Sequence, residues 1–344
     1  MAQQNTTNLG GGAGGRIRED LANYVSNIDR DETPFVSSIG RGKATSTNHA
    51  WITDDYADPG AQNVSEGAAF LATGGSESAG TDAVQTPRER LSNETQIFRA
   101  QIEVSGTAIA VNTAGIANEF AYQLKKKGVE VRRNVEWQSV LYSANSVKSS
   151  TDPRRMGGLP TWVGAGNVVT NAATAGTLAY NNPGTGATRP VYTGASAAIP
   201  VTRETIDELT VAMYGNGGKP NVIMMSHLRK PSFSALLSEG STTSISERRL
   251  NAMESKLNIA ISGVMTDFGF DIALVPNYVM GQFSNGTANV AYAYDSSMLK
   301  SAVLRPLHTT KLDDNGDGKR GLIVEECTLE VMNPNSVGMI FGIG

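Results

Sequence analysis

Residues 116–144 read IANEFAYQLKKKGVEVRRNVEWQSVLYSA, and the periodicity of this stretch decides the fold. Phe120, Leu124, Val131, Val135, Val140, Leu141 and Ala144 recur at three- and four-residue steps, with one skip at Gly128. That spacing predicts one long amphipathic helix, roughly 43 Å in length at about 1.5 Å per residue. Its polar positions are basic: Lys125, Lys126, Lys127, Arg132 and Arg133. Asp152-Pro153 closes the region.

What flanks the helix is largely extended. Upstream, residues 1–15 carry five glycines and no charge and read as a loose tail. Residues 16–28, RIREDLANYVSNI, read as a short amphipathic arm, and Thr33 before Pro34 is pushed to an extended conformation. Residues 44–58 and 94–104 alternate loosely, with β-branched and aromatic side chains. Between them, residues 61–90 are poor in apolar side chains and hold the tip Gly74-Gly75-Ser76-Glu77-Ser78. This predicts a large β-hairpin loop, and a loop of that length in a compact domain points to function.

Downstream, residues 156–202 contain one charged side chain, Arg189, and read as a long irregular segment with short strands. An α/β pattern follows. Thr202 is placed to cap a helix running to Tyr214, with Glu204 and Glu208 near its start. Gly217-Gly218-Lys219-Pro220 is a sharp stop, 222–225 a buried strand, and Ser226 the cap of a second helix through Leu237. Residues 270–275 and 290–294 are strands, 307–313 and 322–331 a hairpin, and 336–343 a closing strand. Together these elements predict an α+β chain.

Composition excludes several classes. The 344 residues carry a formal net charge of −4, with 18% charged and 40% hydrophobic side chains and 37 glycines. Such a chain can bury a core, but its charge content is below the usual ~25%. That suits a surface covered by other chains. The acidic balance argues against a generally basic nucleic-acid binder. One cysteine, Cys327, forbids an intrachain disulfide and any cysteine-cluster metal site. No apolar run approaches the ~18 residues of a membrane span, so no membrane partner is expected. The first residues lack the basic and apolar regions of a secretory signal, so synthesis in the cytoplasm is expected.

The motifs that suggest chemistry do not complete it. Asp313-x-Asn315-x-Asp317-Gly318 begins like an EF-hand loop, but Val324 stands where the bidentate Glu is needed. It reads as a hairpin turn, with incidental Ca²⁺ binding left open. Ser37-Ser38-Ile39-Gly40-Arg41-Gly42-Lys43-Ala44 lacks the first glycine and the Mg²⁺-holding hydroxyl of a phosphate loop. His49, His227 and His308 are far apart, and no G-x-S-x-G elbow occurs. Cys327, between Glu326 and Thr328, reads as an inert buried thiol. We therefore expect no catalytic residue, no cofactor and no metal. The basic stripe on the long helix is the one feature suited to a polyanion; its alternatives are a solvated face, or pairing with Glu119, Glu130, Glu136 or a neighbour's carboxylates.

The layout nevertheless resembles one family. It is carried by Thr33-Pro34-Phe35-x-Ser37-x-Ile39-Gly40-Arg41-Gly42, Trp51-x-Thr53-Asp54 and Asn93-x-Thr95-Gln96-Ile97-Phe98-Arg99. Val104-Ser105-Gly106-Thr107, the stretch 123–136 and Gly217-Gly218-Lys219-Pro220 extend it. In that order they resemble the major capsid proteins of tailed bacteriophages with the Hong Kong 97-like fold, of the podovirus type. The resemblance implies an N-terminal arm (1–55), an extension loop (56–104) and a peripheral domain with a spine helix (105–155). An axial domain (156–300) and closing peripheral strands (301–344) complete it. It implies a virion capsid of hexamers and pentamers enclosing double-stranded DNA, with a portal protein as partner. With only about 15 loose residues before the arm, a separate scaffold protein is expected. Loop and arm residues Trp51, Asp54, Asp55, Tyr56, Glu66, Arg88 and Arg90 would contact the adjacent subunit, and Lys126 and Arg133 would face the lumen. The alternatives are an encapsulin-like cage, or an α/β enzyme built on residues 201–300.

Overall fold

The computed structural model describes residues 32–54, 56, 66, 88–111, 116, 118–141, 152–170, 174–179, 188–192, 199–234, 250–251, 256–257, 262–282, 288–313 and 316–343. The expected tail, amphipathic arm and loop tip lie outside them, as does Asp55.

The chain opens with α1 (Pro34–Ser38), in which Pro34 occupies the first turn, where a missing N–H leaves no bond unmade. β1 (Gly40–Lys43) and β2 (Asn48–Thr53) follow. Next come β3 (Glu89–Glu94), β4 (Gln96–Ser105), α2 (Gly106–Ala110) and the long α3 (Glu119–Val140). The helix expected over 116–144 is present but starts later, and Leu141 already bends away from it. Gly128 does not break it; a Cβ there would meet nothing within 4 Å.

Two short 3-10 segments, Leu159–Trp162 and Ala165–Asn167, lead into β5 (Val168–Thr170). β6 (Thr174–Ala179) and β7 (Thr188–Tyr192) pair with each other. α4 (Arg203–Gly215) starts at Thr202 in a capping box with Thr205. β8 (Val222–Ser226) comes next. Ser226 ends this strand rather than capping a helix, and α5 (Lys230–Ser234) starts only after a turn. β9 (Leu250–Asn251), β10 (Lys256–Leu257), β11 (Gly263–Met265), β12 (Asp271–Asn277), α6 (Tyr278–Gln282) and β13 (Val290–Tyr294) lead to the closing strands. Those are β14 (Leu299–Leu312), β15 (Gly318–Val331) and β16 (Val337–Phe341). Before Gly318 the chain passes through Gly316 at φ +83°, a left-handed position that suits a tight reversal.

Two of the sheets are large. One has the order β1-β14-β15-β4 and the other β11-β12-β8-β13-β16-β5. Gly40–Lys43, the segment that resembles a phosphate loop, is a strand paired in parallel with residues 300–303. The hairpin is paired differently from expectation. β2 pairs antiparallel with β3, from Asn48↔Glu94 to Thr53↔Glu89. Residues 96–105 leave that pairing and form the edge of the four-stranded sheet.

The chain divides into two compact units. Residues 100–130 and 309–323 belong to the smaller. In it, Gly106 N–H donates to the Asp317 carbonyl at 3.1 Å, and Arg320 holds Glu103 at 2.7 Å. Gly321 lies under the Phe120 ring, where a Cβ would stand 2.9 Å from it.

The larger unit contains residues 32–99, 131–308 and 324–344. Its six-stranded sheet is covered on both faces, as the continuous apolar runs of β8 and β13 require. On one face, Ile206, Leu209 and Met213 of α4 pack with Ile223, Met225, Ile272, Ala293 and Ile340. On the other, Met224, Tyr292, Tyr294 and Met339 meet Phe35 of α1, Val140 of α3, Leu159 and Trp162.

Glu136 ties this second face together. Its place beside Arg132 and Arg133 suggests an ion pair, but its side chain is fully buried. One carboxylate oxygen accepts Phe35 N–H at 2.9 Å and Asn277 Nδ2 at 2.6 Å; the other accepts Val36 N–H at 2.8 Å. The acid thus satisfies two free amides at the start of α1 and joins them to the end of β12. Burial pushes its pKa up to about 7, against the pull of the three donors. In the unfolded chain the group titrates at 4.5, so between pH 4.5 and 7 the folded state retains a proton that the unfolded state has lost. This group's contribution to stability therefore falls as pH rises across that window and is constant above it. Glu136→Gln puts an amide where an oxygen now meets Val36 N–H, and should destabilise the chain by about 2–4 kcal/mol. It should also remove roughly 3 kcal/mol of the decline in stability between pH 4.5 and 7; urea unfolding of both forms at pH 5 and pH 8 checks the two effects.

Candidate functional site: the hairpin root and the long helix

The residues expected to act at subunit contacts fall into two groups. Trp51 belongs to the chain's own packing. Its indole Nε1 donates to the Val331 carbonyl at 2.8 Å, and its ring lies 5.2 Å from that of Trp162. Beside it, His49 Nε2 is 3.0 Å from Glu330. Trp51, expected at a neighbour contact, is thus engaged by its own chain, and this side chain pins β2 onto β15.

The opposite arm is pinned too. Asn93, fully buried, donates to the Leu329 carbonyl at 2.8 Å and accepts Gly157 N–H at 2.9 Å. Thr95 Oγ1 donates to Glu326 at 2.9 Å. Glu326 is buried and also held by Arg154 at 2.9 Å and Arg305 at 2.7 Å, so two guanidinium groups offset one carboxylate in a low-dielectric site. The Asn93-x-Thr95 pattern is thus a structural lock, which sequence reasoning did not assign to any role.

Beyond this root the side chains turn outward. Asp54 and Arg88 pair at 3.1 Å across the two arms and both are exposed. Arg90 is exposed opposite Ile52, itself 69% exposed, and Tyr56 and Glu66 are exposed. An exposed Ile–Tyr pair at the mouth of a hairpin has the composition of a contact surface.

On α3, Lys125, Lys126 and Arg132 are exposed. Lys127 pairs with Glu130 at 2.6 Å, and Glu119 accepts from Gln123 at 2.7 Å. Arg133 is half-buried. In the smaller unit, an open groove of about 440 Å³ is lined by Glu103, Glu119, Gln123 and Lys127, among others. Cys327 is buried, and burial together with Glu325 and Glu326 pushes its thiol up to about 12, against a hydrogen bond from Ser301. That suppresses the thiolate a nucleophile needs. His227 follows β8 in a turn, its ring 5.4 Å from that of Tyr278, and His308 lies in β14 with Nδ1 2.9 Å from the Pro306 carbonyl. Among the described residues no group of three or more His, Cys, Asp or Glu side chains is placed to hold a metal.

Comparison with known proteins fits this arrangement. The family model described as SU10 major capsid protein matches residues 2–344. A curated major capsid protein of Escherichia phage Phieco32 is 26% identical over 346 residues, covering 93% of each chain. Among solved structures, the capsid of a native GTA particle superposes with a TM-score of 0.60 at 12% identity, covering 96% of this chain and 97% of the other. The holo-SrpI encapsulin of Synechococcus elongatus PCC 7942 does so at 0.51 and 10% identity, covering 94% and 92%. These two likenesses concern the fold alone, which is Hong Kong 97-like.

The chain belongs to the SU10 major capsid protein family. It is a structural protein of a phage virion, and forms its capsid.

The lock at the root makes a measurable claim. Trp51→Ala removes a ring contact and a buried hydrogen bond, and should cost about 3–5 kcal/mol. Arg88→Ala, at an exposed pair, should cost under about 1 kcal/mol. Thermal unfolding of the two variants should show a large fall in Tm for the first and little change for the second.

Proposed function

We propose that this chain builds the hexamers and pentamers of an icosahedral head around double-stranded DNA, with the loop carried by the β2–β3 pair, within the segment 56–104, reaching onto the adjacent subunit. The observation that carries the reading is the contrast along the hairpin. Its root is locked by Trp51, Asn93 and Thr95, while Ile52, Tyr56, Arg88 and Arg90 are presented outward. A rigid base with an outward rim of apolar and charged side chains is suited to gripping a second copy. Many such contacts, repeated by symmetry, hold a shell without any one being strong. The chain is made in the host cytoplasm, is not an enzyme, and works with a separate scaffold protein and a portal protein.

In the same reading Lys126 and Arg133 face the lumen. They stand seven residues apart on one continuous helix, which places them on one side of it. A few cations there reduce the repulsion between an acidic shell and dense DNA. Charge reversal of both, Lys126→Glu with Arg133→Glu, should lower the DNA content of particles while empty shells still form. Failure of shell assembly itself would place these residues at subunit contacts instead. Negative-stain microscopy and the nucleic-acid content of purified particles report both outcomes.

A further inference from the structure

The larger unit carries a partly exposed aromatic cluster, of which Phe270 packs against the core while Tyr214 and Phe268 stand outward. Tyr214, at the end of α4, stacks on Phe268 with ring centroids 4.8 Å apart. Phe270 lies 5.7 Å from Tyr214, and Lys219 Nζ stands 5.2 Å from the Phe270 ring. Tyr214 is 55% exposed, Phe268 42% and Val211, one turn earlier on α4, 54%. Side chains of this size are seldom left together in water unless they meet a partner.

The surroundings state which charge that partner carries. Glu204 and Glu208 are exposed on α4, and Asp271 is exposed at the start of β12. Asp207 and Asp267 share Arg203, at 3.3 and 2.6 Å. Carboxylates therefore outnumber cations along α4 and the turn that carry the rings.

A matching surface lies at the other end of the same sheet. β8 and β12 run parallel, with Val222↔Ala273 at one end and Ser226↔Asn277 at the other. The aromatic cluster is beside the end where these strands begin. Where β8 finishes, the turn after it presents Leu228, 56% exposed, followed by Arg229 and Lys230. Arg229 is held by Asn289 Oδ1 at 2.8 and 3.1 Å, a neutral acceptor that orients the guanidinium without cancelling its charge. Lys230 Nζ turns back to the Leu274 carbonyl at 3.3 Å, so Arg229 is the cation set beside the apolar knob, and the two complement an aromatic patch rimmed by acids.

We propose that the Tyr214–Phe268 patch of one copy receives the Leu228–Arg229–Lys230 turn of a second copy. The two surfaces differ, so the contact is head-to-tail, and such contacts close into rings when the rotation allows. The inference rests on the shell-building reading and assigns residues to one of its contacts.

The test uses full-length chains co-expressed with the other head proteins of the phage. Phe268→Asp disables the patch and Leu228→Asp disables the knob; both positions are exposed, so each variant should keep the wild-type thermal transition. Should either misfold, serine at the same position replaces it. Each variant alone should lose at least about tenfold in particle yield, as expected for a central contact residue. Mixed, the two should form 1:1 dimers by analytical ultracentrifugation, since one intact patch and one intact knob remain, and no closed rings. Either variant assembling like wild type overturns the proposal. Loss of assembly in Phe268→Asp alone means the patch meets another surface, and also overturns it. Wild-type chains that form no capsomers under the same conditions count against the shell-building reading itself.

Discussion

Glu136 is an acid that two distant parts of the chain cannot do without. Phe35 and Val36 need an acceptor for amides that a helix start leaves free, and Asn277 needs one at the end of a buried strand. A single acid projecting from the long helix supplies both. Much of the second core depends on it. Phe35 packs edge-on to Tyr294 at 5.4 Å, and the Tyr294 hydroxyl reaches Ser38 at 3.0 Å. Burial next to Glu136 raises the Tyr294 pKa further and keeps that phenol protonated. Position along α3 is fixed with comparable rigor at its end. Gly158 sits so close to the Leu141 carbonyl that a Cβ would collide with it, and Gln138 Nε2 donates to the Met156 carbonyl at 3.0 Å.

Much of the architecture was legible because it rests on local signals. The period of residues 119–140 gives the long helix, the Thr202 cap gives α4, and apolar runs give β8 and β13. The stop after α4 was legible as well: Gly217 is at φ +81°, and Gly218 N–H closes on the Met213 carbonyl at 2.7 Å. What could not be read depends on long-range partners. Glu136 looks like one more charge on a polar helix until Phe35 and Asn277 are brought to it. Trp51 looks like a contact residue until Val331 and Trp162 surround it. Ser226 has the right chemistry for a cap, but its hydroxyl accepts Leu228 N–H within a turn. The hairpin register was misjudged because residues 94–104 alternate equally well in either sheet, and only the partner strand decides between them.

The pattern of locked and unlocked polar groups suits a building block better than a catalyst. Buried acids here are saturated with donors: Glu136 with two amides and Asn277, Glu326 with two arginines and Thr95. Groups arranged in this way specify a shape and are costly to disturb. Exposed apolar side chains such as Ile52, Tyr56 and Tyr214 are set on elements that this framework holds still. A rigid frame with scattered adhesive points allows one sequence to meet its copies repeatedly in the same way.

The strand order of the large sheet has a further consequence for when such a block comes into being. β16, residues 337–341, lies between β13 and β5, and Ile199 bridges to Ile343. β1 near the start of the chain pairs with residues 300–303. Neither sheet can be completed while the last strands are still inside the ribosome. Contacts of such sequence separation also form slowly, because a long loop must close before they are gained. Both sheets therefore stay unfinished until residues 300–341 have emerged, and folding of the larger unit must wait for them.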